Sequence, residues 1–153
     1  MPSCMFIGDH EASQETYHTL IAVIEELIVN EKVSTFYVGD KGSFDSYTQT
    51  ALRLLQKKYP YIKCFIVLAY IPGKQNSFEL PPILETIYPE GLEKTPLRYA
   101  INQRNLWMLK NSSFVVACPS AFGNSSKIVA KARLSGKTVI DISAETRNIF
   151  PYP

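Results

Sequence analysis

Short apolar segments recur along the chain, separated by polar or helix-patterned sequence. Each predicts a β-strand, because β-branched and aromatic residues are frequent in it and turn-forming residues bound it. Ile62–Tyr70 is apolar almost throughout, which is typical of a strand buried on both faces of a parallel sheet. The predicted strands are, in chain order, Cys4–Gly8, Thr35–Val38, Ile62–Tyr70, Phe114–Cys118 and Lys137–Ile142.

Helical periodicity fills the intervals between these strands. In the first interval, apolar residues repeat with the spacing of one helix face. Ser43 is a plausible N-cap for the second helix, and Thr95 followed by Pro96 is a strong start signal for the third. The predicted helices are Gln14–Asn30, Phe44–Tyr59, Pro96 to Asn111, and Ser125–Leu134.

This alternation of strands and helices predicts an α/β fold with a parallel sheet. Right-handed crossovers would place helices on both faces, and ligands would bind at the carboxyl ends of the strands. The proline-rich segment Ile71–Thr95 does not fit the alternation. Segments this long and irregular are commonly lids or subunit contacts, and we expect one of these roles.

Composition narrows the possible functions. Lysine and arginine exceed aspartate and glutamate by two, which is too few to indicate nucleic acid or an anionic membrane as partner. No apolar run approaches the ~18 residues of a membrane span, and no signal-peptide pattern is present. The three cysteines fall in predicted strands without zinc-site spacing. We therefore expect a cytoplasmic protein of one domain, residues 1–153, with no metal site and no cofactor.

Arg104 lies in the middle of the apolar face of the third helix. At 100° per residue it shares a narrow arc with Leu97, Ile101 and Met108. A guanidinium that faces a core is costly unless an anion pairs with it. The anion could be a buried carboxylate of the protein, or the side chain could reach out to solvent. Alternatively, Arg104 binds a ligand phosphate or carboxylate with its planar fork.

The loop before the fourth helix has the character of an anion-binding turn. Gly123 would allow close backbone approach, while Ser120, Asn124, Ser125 and Ser126 offer polar side chains. A helix N-terminus attracts anions through its free N–H groups. Simple capping explains serine and asparagine equally well. A neighbouring arginine on the preceding helix favours the anion-binding interpretation.

The turn after the second strand has a similar layout. Gly39 and Gly42 punctuate it, and Asp40 follows the strand end, where an acidic group can bind ribose hydroxyls. Asp45 could bind ribose as well, or could only complement the dipole of the following helix.

The first strand ends in Gly8, and His10 lies just beyond it, so both could line the same site. This stretch lacks the G-x-G-x-x-G fingerprint, which argues against a conventional NAD dehydrogenase. The chain also contains no Walker A motif.

These motifs, in this order, resemble those of the SLOG superfamily, which joins the DprA (Smf) proteins and the LOG, or "lonely guy", proteins. The resemblance covers about Cys4–Ile142 and suggests a small bacterial protein. It rests on Cys4-Met5-Phe6-Ile7-Gly8, Phe36-Tyr37-Val38-Gly39-x-x-Gly42-x-Phe44-Asp45, Leu68-Ala69-Tyr70-Ile71-Pro72-Gly73-Lys74, Tyr88-Pro89-Glu90-Gly91-Leu92-Glu93 and Arg104-Asn105-x-Trp107-Met108.

The resemblance implies a three-layer Rossmann-like fold and a nucleotide-derived ligand. With it we predict a five-stranded, mainly parallel sheet of order 3-2-1-4-5, with a core at about residues 4–142. LOG proteins are phosphoribohydrolases, which cleave the N-glycosidic bond of a cytokinin nucleoside monophosphate. Their R-K-x-x-M motif matches this chain at Arg104 and Met108, while Asn105 replaces the lysine.

A second LOG motif, P-G-G-x-G-T-x-x-E, matches less well. Pro119 and Gly123 agree with it, but Asn124 replaces the threonine and Lys127 replaces the glutamate. Cleavage through an oxocarbenium-like state needs a carboxylate, and a lysine ammonium cannot supply one. The catalytic residues therefore stay unassigned.

We predict a binding or sensor domain for a nucleotide or nucleotide-derived small molecule. Arg104 and the helix start at Gly123–Ser126 would hold phosphate, and Asp40 or Asp45 would hold ribose hydroxyls. The crevice would be lined by the loops after the first, second and fourth predicted strands. Its rim would be formed by Arg98, Asn102 and Asn105.

Two other functions stay open. One is LOG-like phosphoribohydrolase activity, in which Asp40, Asp45 or Glu90 would supply the missing carboxylate. The other is DprA-like binding of single-stranded DNA, which the small net charge disfavours. The resemblance also implies a homodimer, with Ile71–Thr95 as the expected contact.

Overall fold

The computed structural model describes residues 2–8, 13–71, 83–120 and 123–143. Within them, parallel strands and α-helices alternate, as the sequence predicts. The strands are β1 (Ser3–Gly8), β2 (Thr35–Val38), β3 (Lys63–Val67), β4 (Glu85–Ile87), β5 (Phe114–Cys118) and β6 (Thr138–Asp141). The α-helices are α1 (Gln14–Val29), α2 (Gly42–Lys58), α3 (Ala100–Lys110) and α4 (Asn124–Leu134).

The strands form one sheet of order β4-β3-β2-β1-β5-β6, and every pairing in it is parallel. The α/β class and the relative order of the five predicted strands are confirmed. The predicted strand number is wrong, because the described part of the sheet contains a sixth strand, β4. Its three residues carry no apolar run, so their pairing with the free edge of β3 is not visible in the sequence.

Alternation along the central strand divides the core into two layers. Cys4 and Phe6 of β1 pack in the cluster that includes buried residues of α1 and α2. Met5 and Ile7 point to the other face and pack in the cluster that includes residues of α3 and α4. This two-sided burial explains why the strands read as continuous apolar runs.

The first helix matches its prediction closely. Ser13 is its N-cap, and its Oγ accepts a hydrogen bond from the Thr16 N–H at 3.3 Å. Of the predicted apolar face, Leu20, Ile24, Leu27 and Ile28 are buried and Tyr17 and Ile21 are partly buried, while Val23 is buried as well.

The N-cap prediction for the second helix is wrong. α2 begins at Gly42, so Ser43 lies inside its first turn and Lys41 is the N-cap residue. The Lys41 side chain makes no capping hydrogen bond. Instead, Asp45 Oδ2 accepts from the Lys41 backbone N–H at 3.0 Å. A carboxylate one turn into the helix therefore supplies the cap, which the helix dipole also favours.

The predicted start of the third helix is also wrong. Leu97–Tyr99 forms a single 3₁₀ turn, and α3 begins at Ala100. Leu97 is 68% exposed and Ile101 is 37% exposed, so only the later part of the predicted apolar arc faces the core. Arg104 lies in that buried part.

The three cysteines lie in strands, as the sequence predicts. Cys4, Cys64 and Cys118 are buried free thiols, and burial raises the pKa of Cys4 and Cys64.

Among the described residues, no helix has both the length and the apolar character needed to cross a membrane.

Gly8 is expected to be intolerant of a side chain for a packing reason. A Cβ at this position would lie 2.7 Å from Cγ of the buried Phe44 ring. We expect Gly8→Ala to lower the free energy of unfolding by about 1–3 kcal/mol, because the ring must shift in a packed core. Urea unfolding measures this change. The loss of unfolding free energy caused by Gly8→Ala should be smaller when it is measured in a Phe44→Leu protein. Equal losses in the parent protein and in the Phe44→Leu protein would contradict the packing explanation.

Candidate functional site

The candidate site lies at the carboxyl ends of β2 and β3, where α3 directs Arg104 toward the sheet. Arg104 is only 2% exposed. Its position on the apolar face of the helix, predicted from the sequence, is thus confirmed. Because a buried guanidinium must be neutralised and hydrogen-bonded, its partners define the chemistry of this region.

The Arg104 guanidinium is held by three hydrogen bonds from two of its nitrogens. Nη1 donates to the Val67 carbonyl oxygen at 2.9 Å and to Asp40 Oδ1 at 3.2 Å. Nε donates to Asn105 Oδ1 at 2.9 Å. Within the described part of the chain, Nη2 has no hydrogen-bond acceptor. The salt-bridge interpretation of Arg104 is therefore observed, with Asp40 as the carboxylate.

Gly39 is the point at which the charged side chains meet. A Cβ built on it would lie 2.6 Å from Asp45 Oδ2 and 2.7 Å from Arg104 Nη1. Any side chain here would displace one of these groups. We call the side chains of Asp40, Asp45 and Arg104, arranged around Gly39, the Gly39 cluster.

Asp45 is the unusual member of the Gly39 cluster. Its side chain is buried, with the residue 8% exposed. Burial raises the pKa of Asp45 from its ordinary value of 3.8 to about 6. Arg104 and the Lys41 N–H oppose this rise in pKa, while Asp40 adds to it. Asp45 therefore titrates near pH 6, which no feature of the sequence predicts.

Two residues at the edge of the Gly39 cluster were not predicted. Lys41 Nζ lies 4.0 Å from Asp40 Oδ2 and 5.2 Å from the centre of the Tyr70 ring. The Tyr70 hydroxyl donates to the Leu97 carbonyl oxygen at 3.4 Å. The sequence offered one indication of this role for Tyr70, which is that it is the last residue of the third predicted strand and so stands at the carboxyl edge of the sheet.

The turn that carries the Gly39 cluster is fixed from within α2. Gln49 Nε2 donates to the Gly39 carbonyl oxygen at 2.8 Å. Gly42 has φ +87°, a conformation that favours glycine. Gly42 thus has a conformational role, and Gln49 was missed because nothing in its local sequence marks it.

The start of α4 stands at the same edge of the sheet, beyond β1. Gly123 is the N-cap residue and, as a glycine, makes no side-chain capping hydrogen bond. Ser126 Oγ donates to the Gly123 carbonyl oxygen at 2.7 Å. Ser125 is buried, Asn124 is exposed and Ser120 is half-buried. Since β1 separates β2 from β5, roughly 10 Å of sheet lies between the two halves of the predicted site.

The remaining predicted residues take varied positions. Asn105 is 6% exposed and orients Arg104, so the prediction that it stands at the rim is wrong. Arg98 and Asn102 are exposed, and the Arg98 guanidinium lies 4.9 Å from the centre of the Tyr99 ring. Gly8 packs beneath Phe44. His10 lies outside the described residues.

The carboxylates considered for catalysis separate in the structure. Asp40 and Asp45 belong to the Gly39 cluster, whereas Glu90 is exposed in the turn after β4. Lys127 is exposed on α4. Among the residues that the structure describes, no group of three or more His, Cys, Asp or Glu side chains could hold a metal ion.

Two cavities in the described structure contain none of the predicted ligand-binding residues, and Glu90, considered for catalysis, lines the first of them. One, of about 310 Å³, lies between the turn around Gly91 and α3. The other, of about 460 Å³, lies between the end of α2 and the start of β4. The Gly39 cluster thus lies at the carboxyl edge of the sheet and outside these two cavities.

No protein-family model matches the sequence, and no curated protein matches it either. The resemblance to the SLOG superfamily therefore stays a prediction. The functional argument rests on the geometry of the site.

The raised pKa of Asp45 gives a prediction for stability against pH. A carboxyl group whose pKa is higher in the folded state stabilises the protein below its unfolded pKa and loses that effect as pH rises through the folded pKa. We expect about 3 kcal/mol of unfolding free energy to be lost between about pH 4 and about pH 7 through this group. Asp45→Asn should lack this component. Chemical denaturation across that range tests it, and parallel profiles for the two proteins would refute it.

Arg104 should be required for stability in a pH-dependent way. Arg104→Met keeps most of the side-chain volume but leaves the carboxylates without their buried cation. We expect a loss of about 3–5 kcal/mol near neutral pH and a smaller loss near pH 5, where Asp45 is neutral. Arg98→Met is the matched control at an exposed site, expected to change stability by less than about 0.5 kcal/mol. A pH-independent loss for Arg104→Met would contradict the charge interaction between Arg104 and Asp45.

Proposed function

We propose that this protein binds a nucleotide or nucleotide-derived ligand at the carboxyl edge of its sheet, with ligand phosphate at Arg104. The observation that carries the proposal is the almost fully buried guanidinium of Arg104 beside two carboxylates at the ends of β2 and β3. Open parallel sheets bind ligands at this edge, next to the point where the strand order reverses. Here that point lies at β1, between β2 and β5.

A purely structural role is a weak explanation for Arg104. A buried ion pair seldom adds stability compared with apolar residues of similar volume. The hydrogen bonds to Val67 and Asn105 fix the plane of the guanidinium, and Nη2 has no acceptor in the described part of the chain. A fixed, planar donor is the group that suits a phosphate oxygen.

Asp40 is our candidate for binding ribose hydroxyls. It follows β2 directly, and its side chain is 14% exposed, so it is accessible while one oxygen stays bonded to Arg104. An acidic side chain after a parallel strand binds ribose hydroxyls in nucleotide-binding α/β folds. The start of α4 would bind a second polar group of the ligand through its N–H groups.

One observation favours catalysis as a second candidate function. Asp40 is paired with Arg104, whereas burial raises the pKa of Asp45 to about 6. Two nearby carboxyl groups in different environments are suited to separate acid and base roles. We propose as the alternative that these residues support hydrolysis of an N-glycosidic bond, since Lys127 cannot replace the LOG glutamate.

Exposed apolar residues support the proposal of a homodimer. Ile71 is 44% exposed, and Leu97, Tyr99 and Ile101 expose 68%, 49% and 37% of their surfaces near the start of α3. Neighbouring exposed apolar side chains are a feature of interaction surfaces. Ile71 is the first residue of the segment Ile71–Thr95, for which we expect a subunit contact, and the other three residues follow its last residue. Residues 72–82 of this segment lie outside the described residues.

Calorimetric titration with a panel of nucleoside monophosphates tests the proposed function. We expect binding that weakens at least about tenfold in Arg104→Lys, because an ammonium keeps the charge but loses the planar fork. Arg133→Lys, at an exposed position in the last turn of α4, is the matched control and should bind like the parent protein. Absence of binding across the panel, or equal binding by both variants, would refute the proposal.

The same incubations separate binding from catalysis. Chromatography of the mixtures would detect free base if the N-glycosidic bond is cleaved. Binding without release of base supports the sensor interpretation, and release that is lost in Asp45→Asn supports the hydrolase.

A further inference from the structure

The anion position of the turn before α2 is already filled by the protein. A turn that leads into a helix N-terminus presents backbone N–H groups to an anion. In this chain Asp45 Oδ2 takes that place, accepting from the Lys41 N–H at 3.0 Å. The same oxygen and Arg104 Nη1 both approach the position that a Cβ on Gly39 would occupy. The Asp45 carboxylate thus fills the anion position of the turn and lies close to Arg104, whose ion-pair partner is Asp40 at 3.2 Å.

The charges around Asp45 leave the site without an excess positive charge. The turn after β2 contributes Asp40 and Lys41, α2 contributes Asp45 itself, and α3 contributes Arg104. With all four ionised, two negative groups balance two positive ones. The Lys41 side chain is also 37% exposed, so solvent screens it more than it screens Arg104. A ligand anion therefore meets a guanidinium whose charge is already compensated.

We propose that an anion bound at Arg104 lies close enough to the Asp45 carboxylate to disfavour its ionised form, and that anion binding is coupled to uptake of one proton by Asp45. This inference rests on the proposed function, because it concerns the same site. The proton comes from solvent and neutralises one carboxylate oxygen. The other oxygen can still accept from the Lys41 N–H, so the cap of α2 is kept. The Gly39 cluster then has a positive charge to offer the anion.

The coupling makes affinity depend on pH in a defined direction. The raised pKa of Asp45, about 6, supports it, because near neutral pH the group is mostly ionised yet close to protonation. Below that pKa the free protein already holds the proton, and affinity should be constant. Above it, each bound anion requires proton uptake, so affinity should fall by a factor that approaches about tenfold per pH unit. The site would bind anionic ligands more tightly under mildly acidic conditions.

The experiment requires anions whose own charge is constant. Nucleoside monophosphates are unsuitable, because the second phosphate pKa is about 6. We would use methyl esters of nucleoside 5′-monophosphates, which are singly charged phosphodiesters, together with inorganic sulfate. Titration calorimetry from about pH 5.5 to about pH 8.5, in buffers of different ionisation enthalpy, gives affinity and proton uptake together. We expect uptake close to one proton per bound anion at the upper end of this range.

Two variants make the assignment to Asp45 specific. Asp45→Asn keeps the shape and the acceptor for Lys41 but cannot titrate. Its affinity should not vary with pH, and above about pH 7.5 it should exceed that of the parent protein by at least about tenfold. Glu93→Gln removes an exposed carboxylate elsewhere and should keep the parent pH profile.

The outcomes distinguish this inference from the proposed function. Binding without pH dependence or proton uptake overturns the coupling and leaves nucleotide binding intact. The same pH dependence in Asp45→Asn also overturns it. Absence of binding by the parent protein at every pH overturns both. Proton uptake by the parent protein is a test in itself if Asp45→Asn does not fold.

Discussion

The arrangement around Arg104 depends on one constraint, which is that a guanidinium inside a protein must be neutralised. Arg104 meets it through Asp40 and the Val67 carbonyl oxygen, which lie at the ends of two neighbouring strands. These contacts link α3 to the end of β3 and to the turn after β2. This constraint also explains Gly39, because any side chain there would occupy the space in which Arg104 and Asp45 meet.

The same constraint joins stability to function. Asp45 caps the start of α2, yet burial raises its pKa and makes its ionised form costly near neutral pH. A neutral residue could accept the same hydrogen bond without that cost. A buried carboxyl group with a strongly raised pKa, close to a second carboxylate and an arginine, is a common property of functional sites. The energetic cost of the Gly39 cluster therefore adds to the reason for regarding it as a site, which is the buried guanidinium of Arg104.

The sheet topology places the Gly39 cluster at the edge where open parallel sheets bind ligands. β1 is central, and the chain proceeds from it toward β4 before returning on the other side at β5. The Gly39 cluster and the start of α4 therefore stand on opposite sides of β1 at one edge of the sheet. A ligand that spans them would meet a charged wall and a helix N-terminus. A nucleotide could contact both, because its ribose hydroxyls suit a carboxylate and its phosphate suits a cation or a helix N-terminus.

The sequence by itself determined what depends on local periodicity. Apolar runs and helical spacing predicted the α/β class, five of the strands, the burial of Arg104 and the glycine turn beside Asp40. Only the tertiary structure decided which groups meet. The pairing of Arg104 with Asp40 joins residues far apart in the chain, β4 exists because β3 offers a free edge, and the pKa of Asp45 follows from burial by several elements. Periodicity records which side of a helix or strand is buried, whereas a contact between two elements depends on how both are packed.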